Sequence, residues 1–301
     1  MAVRLFLFIP RIIDVSVWIR ALRAFAAIAV LPLWLPLRGQ AASVSPQAVL
    51  LTDRRPSGSI TVLNPNTAPI DIALGVRYGF VMSDSATGRT TVKFLTDSIP
   101  ANSATRLVRF APARFRLPPG GSQIVRFVAV TPDSLPEGEY WGRVTVAAAA
   151  VTGDGLTDAS VRVSGSVNIE VQTVIPLFYR KGRLATALRG QVAGATRHDN
   201  VVQVQPHFER SGNGVSIGLV RLDVLDRANT VLHSATRQLA VYDRLDPLYE
   251  LTLPGETAGQ AARVRITVTS NRPDLPEGLP LSFPPLVLNA DITKGAGLRI
   301  P

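Results

Sequence analysis

The chain has 301 residues, of which 46% are apolar and 18% charged, and it carries a formal net charge of +10. This length predicts about two domains, and the apolar content supports a packed core and argues against global disorder. Cysteine is absent, which excludes a disulfide framework and thiolate chemistry. The positive charge forms no Arg/Lys run interleaved with aromatic residues, so we expect no nucleic-acid partner.

Residues 1–42 have the organisation of a secretory signal. Two arginines precede an apolar run at residues 24–37, and small residues follow at 39–42. This order is typical of a signal peptide, and the run of 14 residues is shorter than the roughly 20 that a membrane-spanning helix needs. We therefore expect cleavage after Ala41 or Ala42 and export of the rest of the chain out of the cytoplasm. An uncleaved membrane anchor is the alternative.

Residues 43–180 predict an immunoglobulin-like domain. Short segments of alternating apolar and polar residues are bounded by Gly, Pro and Asn, which is typical of β-strands. About seven such strands fit the number and spacing of an immunoglobulin-like sandwich. Residues 70–80 are predicted as one continuous strand and residues 150–165 as a long loop.

Residues 181–301 predict a second, smaller β-sandwich. It begins with a less regular stretch at residues 181–198. Residues 201–209 predict a strand that a hairpin turn at 210–214 joins to the next strand at 215–225. Further strands are predicted at 230–235, 248–253, 262–269 and 286–292. The predicted fold class is all-β, with two immunoglobulin-like β-sandwich domains in tandem after an N-terminal signal segment.

The most distinctive segment is SVNIEVQTVIPLFYRKG at residues 166–182. Val167, Ile169 and Val171 alternate with polar residues, and a continuous apolar run then ends in two cations and a glycine. The alternation predicts a strand with one apolar face. From the residues alone, this apolar face is either ordinary sandwich core or a surface that another molecule uses.

Three structural expectations concern the surroundings of this segment. Arg126 is expected to pair with an acidic residue such as Glu139 across the sandwich. Tyr140 is expected to pack in the core and to form a hydrogen bond at a strand corner. Phe178 and Tyr179 are expected to wedge between the two domains, because they lie just before the predicted hinge.

No arrangement of residues indicates catalysis. The three histidines lack the spacing of a metal-binding motif, and no GxSxG nucleophile elbow occurs. The glycine pair Gly120-Gly121 precedes a predicted strand rather than a helix, so it does not form a phosphate cradle. We expect no enzyme activity, no cofactor, no metal and no small-molecule substrate.

Several motifs together resemble a known family. PARFRLPPGGSQIVR at residues 112–126 resembles the signature of periplasmic pilus chaperones, the PapD-like group. Further similar motifs follow the family's order: LNPN at 63–66, LPEGEYWGRVTV at 135–146 and the segment 166–182. The resemblance implies a periplasmic chaperone for pilus or surface protein subunits, which acts by β-strand addition and works with an outer-membrane usher.

The resemblance also implies roles for single residues. Val167, Ile169 and Val171 would be the donor residues that fill the open groove of a subunit. The family holds the subunit's C-terminal carboxylate with two cations, and their positions fall here on Gln47 and Pro176. The alternatives for holding the carboxylate are the amide of Gln47, backbone donors, and the cations Arg54, Arg180 and Lys181.

The missing cations keep a second function open. A protein with this fold but without the usual carboxylate anchor is also expected among structural or adhesive components of the envelope. The sequence alone does not decide between a chaperone and such a component.

Overall fold

In a computed structural model, the described residues are 41–84, 86–96, 99–150 and 170–295. The predicted signal segment and nearly all of the predicted loop at 150–165 lie outside the described residues. Val167 and Ile169 also lie outside them, whereas Val171 is described.

The N-terminal half is built of short strands, as its alternating pattern predicts. In chain order, they are β1 (Ser43–Ser45), β2 (Val49–Thr52), β3 (Ser57–Leu63), β4 (Ile70–Arg77), β5 (Gly79–Ser83), β6 (Thr90–Phe94), β7 (Val108–Ala111), β8 (Arg114–Leu117), β9 (Ser122–Ala129), β10 (Gly138–Ala150) and β11 (Glu170–Lys181).

Two of the sheets in this half face each other as a sandwich. A four-stranded sheet has the order β1-β3-β9-β7, and a five-stranded sheet has the order β2-β11-β10-β4-β8. Val62 and Phe127 from the first sheet and Val144 and Leu177 from the second are fully buried in one common core. Strands β5 and β6 form a separate two-stranded hairpin. Burial of these alternating apolar side chains is what stabilises the two layers against each other.

The C-terminal half is also built of strands. In chain order, they are β12 (Thr186–Gln191), β13 (Ala195–His198), β14 (Val201–Val204), β15 (His207–Gly212), β16 (Ser216–Leu225), β17 (Val231–Val241), β18 (Arg244–Leu245), β19 (Tyr249–Thr252), β20 (Arg263–Thr269) and β21 (Leu286–Lys294), with a one-turn helix α1 (Gly255–Ala258).

These strands form the second sandwich. A seven-stranded sheet has the order β17-β16-β20-β21-β13-β14-β19, and a three-stranded sheet has the order β12-β15-β18. Phe208 from the small sheet packs with Leu222 and Ile266 from the large one in a second buried core. The fold class is therefore all-β with two sandwiches in tandem. The described part of the chain contains no helix that is long and apolar enough to cross a membrane.

A third buried cluster joins the two sandwiches into one compact unit. Trp141 and Phe178 from the first sandwich pack against Ile217 and Tyr242 from the second. The ring centroids of Trp141 and Tyr242 are 5.2 Å apart, and those of Phe178 and Tyr242 are 6.5 Å apart. The division of the chain into domains at residue 180 stays a prediction. Strand β11 itself continues to Lys181, after which Gly182 turns with a φ of 69°.

Phe178 and Tyr179 were both expected to pack between the sandwiches, and only one of them does so. Phe178 packs between the sandwiches as expected, but Tyr179 lies in the core of the first sandwich beside Tyr140. The reason is that neighbouring residues of a strand point to opposite faces. The expectation for Tyr140 is confirmed, since its hydroxyl donates to the carbonyl of Pro136 at 2.8 Å.

The predicted continuous strand at 70–80 is wrong. The strand ends at Arg77, and the chain restarts at Gly79 in the separate hairpin. Tyr78 at the break is buried against Trp141, and its hydroxyl donates to the side-chain oxygen of Asn102 at 3.0 Å. Packing between the sandwiches thus overrides a local pattern that is continuous.

One prediction for the second sandwich is also wrong. The less regular stretch at 181–198 contains strands β12 and β13. The predicted hairpin at 210–214 is absent, because β15 pairs with β12 and β18 whereas β16 belongs to the other sheet. Arg210 holds this crossing in place by donating to the carbonyls of Tyr242 and Gly214.

Candidate functional site

Strand β11 has two halves with different neighbours. Residues Leu177 to Arg180 lie between β10 on one side and β2 on the other. Residues Glu170 to Pro176 pair with β10 alone, so the second edge of this stretch carries no strand in the described structure. We call the stretch 170–176 the open edge of β11.

The direction of the backbone groups along the open edge follows from one hydrogen bond. The carbonyl of Arg180 accepts the N–H of Asp53 at 3.2 Å, on the side of β2. The register between β10 and β11 is continuous, so the backbone groups of every second residue point the same way. Glu170, Gln172 and Val174 therefore direct both their N–H and C=O groups to the open edge.

Pro176 marks the end of the open edge. It lies directly before Leu177, where β2 begins to cover the strand. By the same alternation its nitrogen faces outward, and proline has no N–H to offer there. Proline is tolerated in a sheet where its nitrogen faces an uncovered edge, which explains its presence within a long strand.

Val171 lies on the apolar face of this stretch. It is half-buried, at the register position opposite Ala148, and shares its face with the buried Ile175 and Leu177. Val171, the one member of the predicted stripe within the described residues, thus lies on the face of β11 that fills the first core. Val167 and Ile169 lie outside the described residues, so their roles stay predictions.

The open edge leads into a cleft between the two sandwiches. The cleft has a volume of about 930 Å³, and Val174, Ile175 and Pro176 form part of its wall. Gln47, which is exposed, lines the same cleft from the first sandwich, and Leu239 lines it from the second. Gln47 and Pro176 thus line one cleft, and a role of Gln47 in partner binding stays a prediction.

Arg143 is the residue that sequence reasoning missed. It lies on β10 directly opposite Pro176 and lines the cleft, and only 5% of its surface is exposed. One guanidinium nitrogen donates to the hydroxyl of Tyr242 at 2.8 Å, and the guanidinium carbon lies 5.4 Å from the centre of that ring. Its Nε atom is buried without a hydrogen-bond partner. Only the register of β10 against β11 places this cation at the cleft, and a strand pattern does not reveal a register.

Tyr242 is the polar neighbour of Arg143 on the second sandwich. Burial raises the pKa of Tyr242 to about 12, and the nearby Arg143 limits the increase. The phenol is therefore neutral at physiological pH and keeps its proton. Arg143 and Tyr242 together form a donor-rich corner of the cleft that carries one positive charge.

Arg180 lies behind the cleft in a buried ion pair. Its Nε donates to Glu139 at 2.7 Å, and its other nitrogens donate to the carbonyls of Gly278 and Leu279. Glu139 also accepts the N–H of Val215 at 2.6 Å, so the pair links the two sandwiches. Burial raises the pKa of Glu139, and Arg180 offsets part of that increase.

The expected pair between Arg126 and Glu139 is therefore wrong. Arg126 is exposed on β9, because its neighbours Val125 and Phe127 take the inward positions of that strand. Sequence reasoning paired two residues of opposite charge without the register that decides which of them meet.

The remaining predicted cations lie away from the cleft wall. Lys181 is half-buried and donates to the carbonyl of Asp133 at 2.6 Å, and Arg54 is exposed in the turn after β2. All three guanidinium nitrogens of Arg180 are engaged by partners within the protein. Their roles in partner binding stay predictions, but the structure brings none of them together with Gln47.

Known proteins offer a limited comparison. No family model and no curated protein matches the chain. Among solved structures, the YadV chaperone is 12% identical, with 83% of this chain and 98% of that chain covered and a TM-score of 0.45. The CupB2 chaperone of Pseudomonas aeruginosa is 13% identical, with coverages of 83% and 100% and a TM-score of 0.42. The E. coli chaperone DraB is 15% identical, with coverages of 85% and 97% and a TM-score of 0.38.

Each of these three solved structures is of a protein named a chaperone. Their identities and TM-scores are low, so the similarity does not extend to what this chain binds. The function has to be argued from the open edge of β11 and from the cleft.

Proposed function

We propose that this protein is a periplasmic chaperone that captures pilus or surface protein subunits by β-strand addition at the open edge of β11. The observation that carries the proposal is that Glu170, Gln172 and Val174 present backbone donors and acceptors at an uncovered edge. A strand of another protein can satisfy these groups with a new ladder, as in other β-strand additions.

The apolar face of β11 supplies the second half of the mechanism. An incoming β-rich subunit that lacks one strand would have part of its core exposed. Val171, with Val167 and Ile169 before it, would place apolar side chains at every second position along that gap. Burial of one such side chain contributes roughly 1.5–3 kcal/mol, so three of them favour binding strongly.

An uncovered edge strand has different consequences in a chaperone and in a structural component. An uncovered, apolar edge strand promotes uncontrolled pairing unless a protein shields or uses it. In a chaperone the edge is covered only while a subunit is bound. Export through the predicted signal at residues 1–42 and delivery to an outer-membrane usher belong to the same proposal.

Charged substitutions on the apolar face test the proposal. Ile169→Asp and Val171→Asp should abolish capture of β-rich envelope subunits, because a carboxylate cannot enter an apolar groove without a partner. Val231→Asp is the matched control, since Val231 is 47% exposed on the second sandwich. Thermal melts of all three variants check that a loss of capture does not come from unfolding. Subunit capture that survives both Ile169→Asp and Val171→Asp contradicts strand addition.

A structural or adhesive envelope component is the second candidate function. It is favoured by Gln47 and Pro176, which stand where the resembling proteins have cations. Fractionation of the envelope separates the two functions. A dissociable one-to-one complex with a subunit supports the chaperone, and stable incorporation into a surface fibre supports the structural component.

A further inference from the structure

The charged side chains that line the cleft between the sandwiches are all cations among the described residues. Arg89, Arg143, Arg237 and Arg272 line it, and no Asp or Glu occurs among the lining residues that the structure describes. Arg272 is neutralised by Asp274, whose carboxylate oxygens accept from two of its nitrogens at 2.8 and 2.7 Å. Arg89, Arg143 and Arg237 have no carboxylate partner within the described residues.

Arg143 is a buried cation without a carboxylate partner among the described residues. Removing a cation from water is costly unless a partner compensates it, and Arg143 is almost entirely buried with its Nε unpaired. The neutral hydroxyl of Tyr242 accepts one of its hydrogen bonds but does not compensate its charge. An anion in the cleft would pair with this guanidinium where the low dielectric strengthens the interaction.

The shape of the cleft indicates what carries the anion. A volume of about 930 Å³ holds a segment of chain and is larger than a single ion requires. Val174 and Pro176 of the open edge form part of the wall, so a strand added to β11 would continue into the cleft. The cations lie on both sandwiches, since Arg143 is on β10 of the first and Arg237 is on β17 of the second. Arg89 directly precedes β6 of the separate hairpin.

We propose that the cleft selects partners whose segment beyond the added strand carries acidic side chains. One carboxylate of the partner pairs with the buried Arg143, and further carboxylates face the exposed Arg89 and Arg237. This inference rests on the proposed strand addition, because the added strand is what delivers the segment to the cleft. It adds a charge requirement that an uncovered apolar edge alone does not impose.

A set of synthetic peptides tests the inference. One peptide has an alternating apolar strand followed by aspartates, and its counterpart has asparagines at the same positions. Each is made with a free and with an amidated C-terminus, and binding to the full-length protein is measured by calorimetry at several salt concentrations. We expect the aspartate peptide to bind about tenfold more tightly than the asparagine peptide, whether its C-terminus is free or amidated. Its affinity should also fall more steeply as the salt concentration rises.

Charge reversal locates the effect. Arg237→Glu and Arg89→Glu should each weaken the aspartate peptide by about threefold to tenfold and leave the asparagine peptide unchanged, as is usual for exposed charges near a charged ligand. Arg126→Glu is the matched control, because Arg126 is exposed on β9 and does not line the cleft. Arg143→Met retains the apolar part of the side chain and should remove most of the preference for aspartate.

The possible outcomes separate the two proposals. Equal affinity of the aspartate and asparagine peptides, dependence on the free terminus alone, or no binding of any peptide overturns the acidic selection. If Val171→Asp leaves the aspartate preference intact, strand addition fails while the acidic selection stands. If Val171→Asp abolishes binding of every peptide in the set, the two proposals stand together.

Discussion

The two halves of strand β11 belong to one continuous strand and share β10 as a neighbour, but only one half is also covered by β2. Residues Leu177 to Arg180 have a strand on each side, and their side chains are buried in the core and between the sandwiches. Residues Glu170 to Val174 have a strand on one side only, and their side chains are exposed or half-buried. Pro176 lies between the two halves.

The difference shows how one strand can serve stability and recognition. The covered half has all its backbone groups paired and its apolar side chains buried, so it holds the two sandwiches together. The open half retains unpaired backbone groups and an apolar stripe, which are the features of a surface for strand addition. Substitutions in the covered half should therefore reduce stability, and those in the open half should reduce binding.

The largest expected effect concerns Phe178. Only 1% of its surface is exposed, and its ring packs against Tyr242. Phe178→Ala should lower the free energy of unfolding by about 3–5 kcal/mol, as is usual for a large buried aromatic residue. Val171→Ala in the open half should cost less than about 1.5 kcal/mol, because the side chain is only half-buried. Chemical denaturation of the two variants measures this contrast, and equal losses would contradict it.

The next effect concerns the buried ion pair at the end of the covered half. Glu139→Ala leaves Arg180 buried without its carboxylate and should cost about 3 kcal/mol. The double variant Glu139→Leu with Arg180→Met should recover much of this loss, since it removes both charges together. Denaturation curves of the single and double variants check the prediction. A double variant that is no more stable than Glu139→Ala would show that the loss does not come from an uncompensated charge.

The smallest expected effect concerns the boundary between the halves. Pro176→Ala provides a backbone N–H at the end of the open edge, and one additional hydrogen bond contributes about 1 kcal/mol. The affinity for an added strand should then rise about fivefold, whereas the thermal melt should change little. Titration of a bound subunit or peptide measures the change. A lower affinity would indicate that the nitrogen of residue 176 does not face the incoming strand.

The sequence predicted the strands with a clear period and missed those that tertiary contacts decide. Val62 and Phe127 take buried positions that alternate with exposed ones, and their strands β3 and β9 occur as expected. Tyr78 ends a strand because it packs between the sandwiches, which a local pattern does not show. Strand β12 has few apolar residues and forms because β15 pairs with it over six positions.

The sequence likewise predicted only part of the candidate site. The apolar face at Val171 was accessible from the alternation of its own strand, and Gln47 was named from the family resemblance. Arg143 was not, because its place opposite Pro176 depends on the register between two strands. Arg143 also lacks a carboxylate partner because the buried Glu139 pairs with Arg180 instead. Single-strand patterns identify faces, but they do not identify which charges remain unpaired.

Hydrogen exchange along β11 tests the central claim most directly. In the free protein, the amides of Gln172 and Val174 should exchange rapidly, and those of Val171 and Thr173, which face β10, should be protected. When a subunit binds, the amides of Gln172 and Val174 should become protected, and those of Val171 and Thr173 should change little. Unchanged exchange at Gln172 and Val174 in the complex would contradict strand addition at the open edge.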